Sequence, residues 1–357
     1  MPLKVTDSLV KKVLQQYRIG ENFTILKPES GYRNTVVPIK VGGKTLSIIF
    51  YKDEPKILQK IKVSNLISNS LAKKGWPTRH VVSKSSHSIL KLHHSTQTYY
   101  CCLYNYLPGN TINWENYSKK HIKLLGQVLG FLHQDLKLVE VRSDILVDKI
   151  YLILDRNNNK MYKYFTNKEV TDALEQKLKL KVNLKFREKL NSVAAKLKNN
   201  HSEQLLHMDF VRGNILFCKQ NNYQFVQDSR LIFDDDKKEN NQQLAISGIL
   251  DFEKVALGPR EVELARTLAF LLVDCKYKAP QKVLKYFLYS GYLKRGQQQN
   301  INVRLVSQLV KHFLFQDFYY FLLHNPYESL PQNEHFTRTC KFLLSQTNPV
   351  LISLEQT

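Results

Sequence analysis

The sequence predicts an α+β protein in two parts, a small antiparallel β-sheet followed by a larger, mainly helical region. Two observations lead to this prediction. Apolar residues recur with a period of two in much of the N-terminal part, and with a period near 3.6 beyond residue 120. Between these parts, the Leu-Pro-Gly sequence at residues 107–109 breaks a strand pattern. We therefore expect an N-terminal lobe over residues 1–106 and a C-terminal lobe over residues 107–357.

The N-terminal lobe is expected to contain a hairpin, a helix and a further strand. Residues 35–41 and 45–51 are rich in β-branched and aromatic residues, and two glycines join them, which is typical of a hairpin. A helical pattern over residues 55–74 ends at Gly75, a residue type that favours the left-handed conformation after a helix. The apolar run at residues 98–106 predicts the strand that leads into the lobe boundary.

The C-terminal lobe shows long helical patterns and one strand-loop-strand unit. The helices are predicted from apolar positions that repeat every three or four residues over residues 122–132, 262–273 and 303–323. Strands are predicted over residues 205–218 and 244–252. The polar sequence between these strands, at about residues 219–245, is expected to be an exposed hairpin insertion.

Two polar stretches of the C-terminal lobe allow more than one interpretation. In the insertion, we expect residues 223–226 to pair with residues 231–233, and the aspartates at 234–236 to be solvated in preference to binding a metal. The lysine-rich sequence at residues 177–198 has apolar positions at helical spacing. We expect one helix with a solvated face there, in preference to a dedicated anion-binding surface.

The composition favours a folded, cytoplasmic protein. Hydrophobic residues make up 43% of the 357 residues, which is ample for a packed core. The net charge of +22 comes mainly from dispersed basic residues, so we expect no nucleic-acid partner. The N-terminus lacks the apolar core of a signal peptide, and the longest apolar run, residues 264–275, is too short to cross a bilayer. The five cysteines have no C-x-x-C spacing and are expected to be reduced thiols.

Two polar sequences interrupt the apolar strands of the C-terminal lobe. His207, Asp209 and Asn214 follow the first strand in the order H-x-D-x-x-x-x-N, and Asp251 follows the second. Phosphoryl transfer to a hydroxyl requires a carboxylate that orients the nucleophile and accepts its proton, together with oxygen ligands for Mg²⁺. Asp209 suits the first role, and Asn214 and Asp251 suit the second. Each motif alone is also typical of an ordinary turn, but the two together predict a phosphotransferase.

These motifs resemble those of the aminoglycoside-phosphotransferase superfamily, which includes choline kinases and shares the bilobal fold of protein kinases. Residues 104–109 (YNYLPG) are similar to the family's hinge, residues 125–133 to its first large-lobe helix, and residues 251–265 to the segment after the metal-binding aspartate. The matching blocks are scattered between residues 25 and 275. They imply a protein-kinase-like fold in which ATP and Mg²⁺ bind between the lobes.

The resemblance assigns roles around the catalytic loop. It implies that Asp209 is the catalytic base and that Asn214 and Asp251 hold Mg²⁺. His207 is expected to brace the loop in preference to transferring protons. Two interpretations stay open for Arg212, which either neutralises charge on the γ-phosphate or pairs with a neighbouring acid.

The resemblance also implies a nucleotide site in the N-terminal lobe. Adenine would contact backbone groups of the hinge between Tyr104 and Tyr106. The turn that contains Gly31 and Asn34 is similar to the family's phosphate-covering loop, and a plain hairpin turn is the alternative.

One expected ion pair is missing from the sequence. In the family, the third strand usually carries a Lys or Arg that reaches the phosphates and pairs with a Glu on the next helix. Alignment of residues 47–51 to that strand puts Ile49 at the basic position, and Ser64 or a neighbour at the acidic one. Loss of both partners is physically coherent, since either charge alone in a cleft would be costly. Lys40, Arg33 and Arg212 are the substitutes that the sequence suggests.

Two functions from different classes follow. The first is a small-molecule kinase that moves the γ-phosphate of ATP to the hydroxyl of an unidentified acceptor. The second is a non-catalytic kinase-like module that binds a nucleotide or a partner, which the missing ion pair and the high charge would suit. Retention of Asp209, Asn214 and Asp251 together favours the enzyme, because a binding scaffold has little need of all three.

Overall fold

The structure, a computed structural model, describes most of the chain and has a β-sheet lobe followed by a helical lobe. The described residues are 3–344, apart from residues 4, 21, 28, 31–33, 83–87, 95–96, 142–145, 183–185, 199–202, 220–227, 234–242 and 299. A six-stranded antiparallel sheet forms the N-terminal lobe, in the order β1-β3-β4-β6-β5 with β2 paired to β3. Its strands are β1 (Phe23–Ile25), β2 (Glu29–Ser30), β3 (Thr35–Val41), β4 (Lys44–Lys52), β5 (Leu90–His94) and β6 (Gln97–Asn105).

The predicted hairpin of β3 and β4 is confirmed. The two strands pair from Thr35 opposite Phe50 down to Val41 opposite Lys44. The turn between them holds two glycines in the left-handed region, with φ of +55° and +76°. This turn requires positive φ at both central residues, and glycine adopts it without a steric cost.

Two helices cover the sheet from opposite faces. α1 (Asp7–Gln16) packs with alternate residues of β4, including Ile48 and Phe50, in one core cluster. Ile49, on the other face of β4, belongs to a separate cluster with residues of α2 (Ile57–Lys73). This division follows from the period-two alternation of side chains along a strand. It directs Ile49 toward the α2 side of the sheet.

The C-terminal lobe is built mainly from helices around the largest apolar core. The helices are α3 (Lys119–Lys137), α4 (Ile150–Phe165), α5 (Lys168–Leu178), α6 (Phe186–Lys198), α7 (Arg260–Asp274), α8 (Pro280–Leu284), a π-helix (Lys285–Arg295), α9 (Val303–His324) and α10 (Glu334–Leu344). α3, α7 and α9 confirm the three predicted helical patterns. The amphipathic spacing of their apolar residues explains why they cover this core.

The expectation of one helix over residues 177–198 is wrong. α5 ends at Leu178, where the following Lys179 adopts the left-handed conformation (φ 56°), and α6 begins at Phe186. Between the two helices, Leu180 and Val182 are partly buried against an apolar cluster to which α4, α5, α9 and α10 contribute. Burial of these side chains therefore overrides the helical pattern of the sequence.

Short strands position the loops of the C-terminal lobe. β7 (Gln204–Leu206) pairs with β11 (Ala256–Gly258), and β8 (Ile215–Lys219) pairs with β10 (Leu244–Ile249). A two-residue strand, β9 (Ile232–Phe233), also pairs with β10. The predicted partners of residues 231–233, at 223–226, lie outside the described residues, as do the aspartates at 234–236.

Glycines permit a close crossing of α3 and the π-helix. A Cβ atom built on Gly126 would lie 2.2 Å from the carbonyl oxygen of Phe287, and one on Gly130 would lie 2.7 Å from the Cα of Gly296. Neither distance accommodates a side chain, and backbone atoms cannot move aside cheaply. The two helices therefore meet backbone to backbone.

Two predictions from composition bear on the described residues. All five cysteines are free thiols; Cys101, Cys102 and Cys275 are buried, as expected, whereas Cys218 and Cys340 are only partly buried. Within the described residues, no helix combines the length and the apolar character that crossing a membrane requires.

Candidate active site

The catalytic loop lies between β7 and β8, and His207 is buried at its start. The Nδ1 atom of His207 accepts a hydrogen bond from the backbone N–H of Asp209 at 3.1 Å. Its Nε2 atom therefore carries the ring proton and lies 2.9 Å from the carbonyl oxygen of Leu250, beside Asp251. The His207 ring thus joins the catalytic loop to the loop that carries Asp251.

A buried carboxylate, Glu263 of α7, holds the start of the catalytic loop at His207 and Met208. It accepts hydrogen bonds from the backbone N–H groups of His207 at 2.9 Å and Met208 at 2.7 Å, and it pairs with the Nε2 atom of His133 at 3.0 Å. Burial alone would raise the pKa of Glu263, but the hydrogen bond and charge of His133 outweigh burial and hold the pKa below its ordinary value. Met208 has φ of +61°, so Glu263 stabilises an unfavourable backbone conformation. Sequence patterns gave no separate role to Glu263.

Asp209 is 5% exposed and is surrounded by donors. The Nζ atom of Lys254 lies 2.9 Å from each carboxylate oxygen, and the Nη2 atom of Arg266 lies 3.1 Å from Oδ1. Burial raises the pKa of Asp209, but the charges of Lys254 and Arg266 outweigh it and bring the pKa below its ordinary value. The carboxylate is therefore ionised at neutral pH, as a base requires.

The side chains of Asn214 and Asp251 suit a magnesium ion bound between β8 and β10. The Nδ2 atom of Asn214 donates to the Asp209 carboxylate at 2.9 Å, which turns the amide oxygen to the opposite side. A backbone hydrogen bond of 2.8 Å from Leu250 to Asn214 holds the two loops together. Asp251 adopts the left-handed conformation (φ 59°), a strained geometry that is common at functional sites. One amide and one carboxylate oxygen fit Mg²⁺ that also binds phosphates and water.

No group of three or more His, Cys, Asp and Glu side chains within the described residues forms a metal site by itself. This observation does not conflict with the Asn214 and Asp251 pair. Magnesium sites that serve phosphoryl transfer commonly take one or two protein carboxylates and complete their shell with phosphate oxygens and water.

A cleft of about 510 Å³ lies between the sheet lobe and the loops of the helical lobe. Asn214 and Asp251 of the helical lobe line it, together with Ile49 of β4 and Ser64 of α2. Ile49 and Ser64, where the resemblance would lead one to expect an ion pair, thus bring an apolar and a hydroxyl side chain to the cleft. Three cations line the same cleft, namely Lys60, Arg79 and Lys254.

The predicted nucleotide-binding residues are distributed unevenly around this cleft. Asn34 lines it and donates to the Oε1 atom of Glu253 at 2.7 Å, whereas Gly31 lies outside the described residues. Tyr104 also lines it, but its hydroxyl group forms a buried hydrogen bond with that of Tyr51 at 3.0 Å. Its side chain is therefore part of the cleft wall. The side chain of Tyr106 is 40% exposed and lines a separate surface pocket next to the hinge.

Arg212 lies away from the cleft. Its Nε atom is 3.5 Å from the Oδ2 atom of the buried Asp274, and its Nη1 atom donates to the carbonyl oxygen of Ile112 at 3.5 Å. Of the two interpretations of Arg212, the geometry favours the one in which it pairs with a neighbouring acid. Lys254 and Arg266 instead supply the positive charge beside Asp209, although sequence reasoning identified neither.

The fold and this site define a class. The sheet order, the helix between β4 and β5, and the mainly helical C-terminal lobe match the bilobal, protein-kinase-like fold of aminoglycoside phosphotransferases and related small-molecule kinases. Solved structures support this classification.

Three such structures resemble the chain over almost its whole length. A microcompartment-associated aminopropanol kinase has a TM-score of 0.66 and 11% identity, with 97% of this chain and 99% of that one covered. An amicoumacin kinase in complex with AMP-PNP and Ca²⁺ has a TM-score of 0.64 and 14% identity, with 94% and 92% covered. A spectinomycin phosphotransferase in complex with ADP has a TM-score of 0.56 and 15% identity, and both chains are covered completely.

The similarity lies in the structure more than in the sequence. No protein-family model matches the chain, and no curated protein matches it. At identities of 11–15%, the structural similarity establishes the fold. The function has to be argued from the site. The predictions of a protein-kinase-like fold and of a likeness to the aminoglycoside-phosphotransferase superfamily are confirmed.

Proposed function

We propose that this protein is an ATP- and Mg²⁺-dependent phosphotransferase that acts on a hydroxyl group of a small molecule. The observation that carries the proposal is the linked geometry of Asp209, Asn214 and Asp251. The amide of Asn214 bonds to Asp209, while Asn214 and Asp251 line one cleft between the lobes. A base and two metal ligands are thus held together, as phosphoryl transfer requires.

Each residue has a defined task in this proposal. Asp209, ionised and held by Arg266, orients the acceptor hydroxyl and accepts its proton. Asn214 and Asp251 hold Mg²⁺, which neutralises charge on the phosphates when it is bound. Adenine lies against the hinge between Tyr104 and Tyr106, and the phosphates lie near Asn34, which lines the cleft.

We further propose that the acceptor carries an amino group and binds on the helical side of Asp209. Arg266, which bonds to Asp209, stacks over Phe270, and the Phe270 ring lies 6.5 Å from the ring of His335. His335 in turn pairs with Asp317 at 3.2 Å. The aromatic rings and the carboxylate of Asp317 would suit an amine locally, although the whole chain carries a charge of +22.

The names of the similar structures agree with such an acceptor. One is an aminopropanol kinase and another is an ethanolamine kinase from Plasmodium vivax. A screen by coupled ADP release should therefore compare amino alcohols with neutral diols, sugars, nucleosides and aminoglycosides. We expect turnover of at least one amino alcohol, and loss of that turnover when Mg²⁺ is removed.

Substitution Asp209→Asn provides the decisive comparison. It should lower turnover by about three orders of magnitude or more and leave ATP affinity nearly unchanged, because it removes only the base. Asp148→Asn, at an exposed carboxylate outside the cleft, is the matched control. Nucleotide binding without turnover of any acceptor would favour the alternative, a non-catalytic kinase-like module.

A further inference from the structure

The cleft lacks the strand cation that kinases of this fold use to hold phosphates, and the substitutes suggested by the sequence do not replace it. Arg212 pairs with Asp274, and Lys40 is exposed on β3 and does not line the cleft. Arg33 lies outside the described residues. Because a triphosphate carries several negative charges, a cleft that binds it needs cations from other positions.

Resting on the proposed function, we propose that Lys60 and Arg79 are the polyphosphate-binding cations of this protein. Both line the cleft that Asn214 and Asp251 also line. Neither forms an ion pair with an acid within the part of the chain that the structure describes. Their charge is therefore available to a ligand in the cleft.

Helix geometry explains the position of Lys60. Lys60, Ser64 and Ser68 are spaced four residues apart on α2 and all line the cleft, so they form one stripe along the helix. The resemblance puts Ser64 or a neighbour where the family has its Glu, and Lys60 lies one turn before Ser64. The cleft therefore has a cation on the helix in place of one on the strand, and an amine on a long, flexible stem can reach bound phosphates.

Backbone contacts fix the segment that carries Arg79. Thr78 forms a parallel bridge with Ile249 of β10, and Val81 bridges to Tyr104 of β6. The backbone N–H of Ile249 also donates to the carbonyl oxygen of Pro77 at 2.8 Å. Arg79 is therefore held between the strand that leads to Asp251 and the strand that leads to the hinge.

Calorimetric titration with ATP·Mg²⁺, ADP and adenosine tests this inference. Lys60→Met and Arg79→Met should each weaken ATP binding about 10- to 100-fold, because a charge-assisted contact is lost. Adenosine affinity should change less than about twofold, since adenosine has no phosphate to lose. Lys62→Met is the matched control, because Lys62 is exposed on the same helix and does not line the cleft.

The outcomes separate this inference from the proposed function. Unchanged ATP affinity in both variants would overturn the role of Lys60 and Arg79 while the kinase proposal stands. An equal loss for ATP and adenosine would also overturn it, because that result indicates a structural defect. If the unaltered protein bound no nucleotide at all, the proposed function would fail and this inference with it.

Discussion

Lys254 and Asp209 form a two-pronged ion pair in which one ammonium group contacts both oxygens of the carboxylate at 2.9 Å. The two groups differ in exposure, since the side chain of Lys254 is 52% exposed while that of Asp209 is 7% exposed. The ammonium group is therefore the more accessible partner of the pair, whereas the carboxylate is buried. If Asp209 is the base, as we propose, an acceptor hydroxyl that approaches it would take the place of Lys254.

Removal of Lys254 should change the pH dependence of the reaction. In Lys254→Met, the pKa of Asp209 should rise, because one of the two cations that lower it is gone while burial remains. The base is then protonated at higher pH, so the acidic limb of the kcat/KM profile, which reports the free enzyme, moves to higher pH. A pH-rate profile checks this, with Lys52→Met, at an exposed end of β4, as the control. An acidic limb that does not move would contradict the pairing.

Substitution Glu263→Gln should destabilise the catalytic loop. Two backbone N–H groups and His133 would lose their charged acceptor, at a cost of about 2–4 kcal/mol in the free energy of unfolding. The folded-state pKa of Glu263 lies below its ordinary value. Its contribution to stability is therefore present above the unfolded pKa of about 4.3 and is lost as the pH falls.

Urea unfolding at several pH values checks the prediction for Glu263. The difference between the variant and the unaltered protein should be largest near neutral pH and shrink in acid. Glu175→Gln, at an exposed carboxylate paired with Lys181, should cost far less. A difference for Glu263→Gln that is constant across pH would show that the carboxylate charge is not what holds the loop.

The crossing of α3 and the π-helix should not tolerate a methyl group. Gly126→Ala should lower the free energy of unfolding by about 2 kcal/mol or more, even though alanine favours helix formation, because its Cβ meets a backbone carbonyl. In Gly20→Ala the new Cβ would meet no atom within 4 Å, so the change should be below about 0.5 kcal/mol. Thermal unfolding of the two variants compares them directly, and equal stability would contradict the close crossing.

Substitution Asp317→Asn tests the position of the acceptor. If an amino group binds near His335 and Asp317, the variant should raise KM for an amino alcohol about tenfold. That is the loss of affinity expected when one charge-assisted hydrogen bond is removed. KM for ATP should stay unchanged, since Asp317 does not line the nucleotide cleft. Steady-state kinetics with both substrates measures this split. A parallel rise in both KM values would indicate a general structural defect instead.

The parts of the fold that follow from local pattern were predictable from the sequence. β3, β4, α2 and α7 each bury one face or both, so their apolar periodicity shows directly in the chain. The break in the helix within residues 177–198 was not predictable, because the chain turns at Lys179 and partly buries Leu180 against a cluster that includes α9. That turn depends on a contact with an element distant in the chain, and such a contact leaves no sign in the local sequence pattern.

Some residues of the candidate site were also predictable from the local sequence, and others were not. Asp209 and Asp251 were recognisable because polar residues interrupt apolar strands at those points. Glu263 and Arg266 lie on a helix more than 50 positions away from the catalytic loop, and only the fold brings them to it. Their roles depend on tertiary contacts, and so does the position of Lys60 at the cleft.

The isoleucine at position 49 has a consequence for covalent chemistry. Nucleotide analogues with a reactive acyl phosphate transfer their acyl group to whichever amine lies beside the phosphates. A buried hydrocarbon on β4 offers no such nucleophile. Such a reagent should instead mark α2 at Lys60 or the loop at Lys254, and the labelled peptide would report from which side of the cleft the phosphates are held.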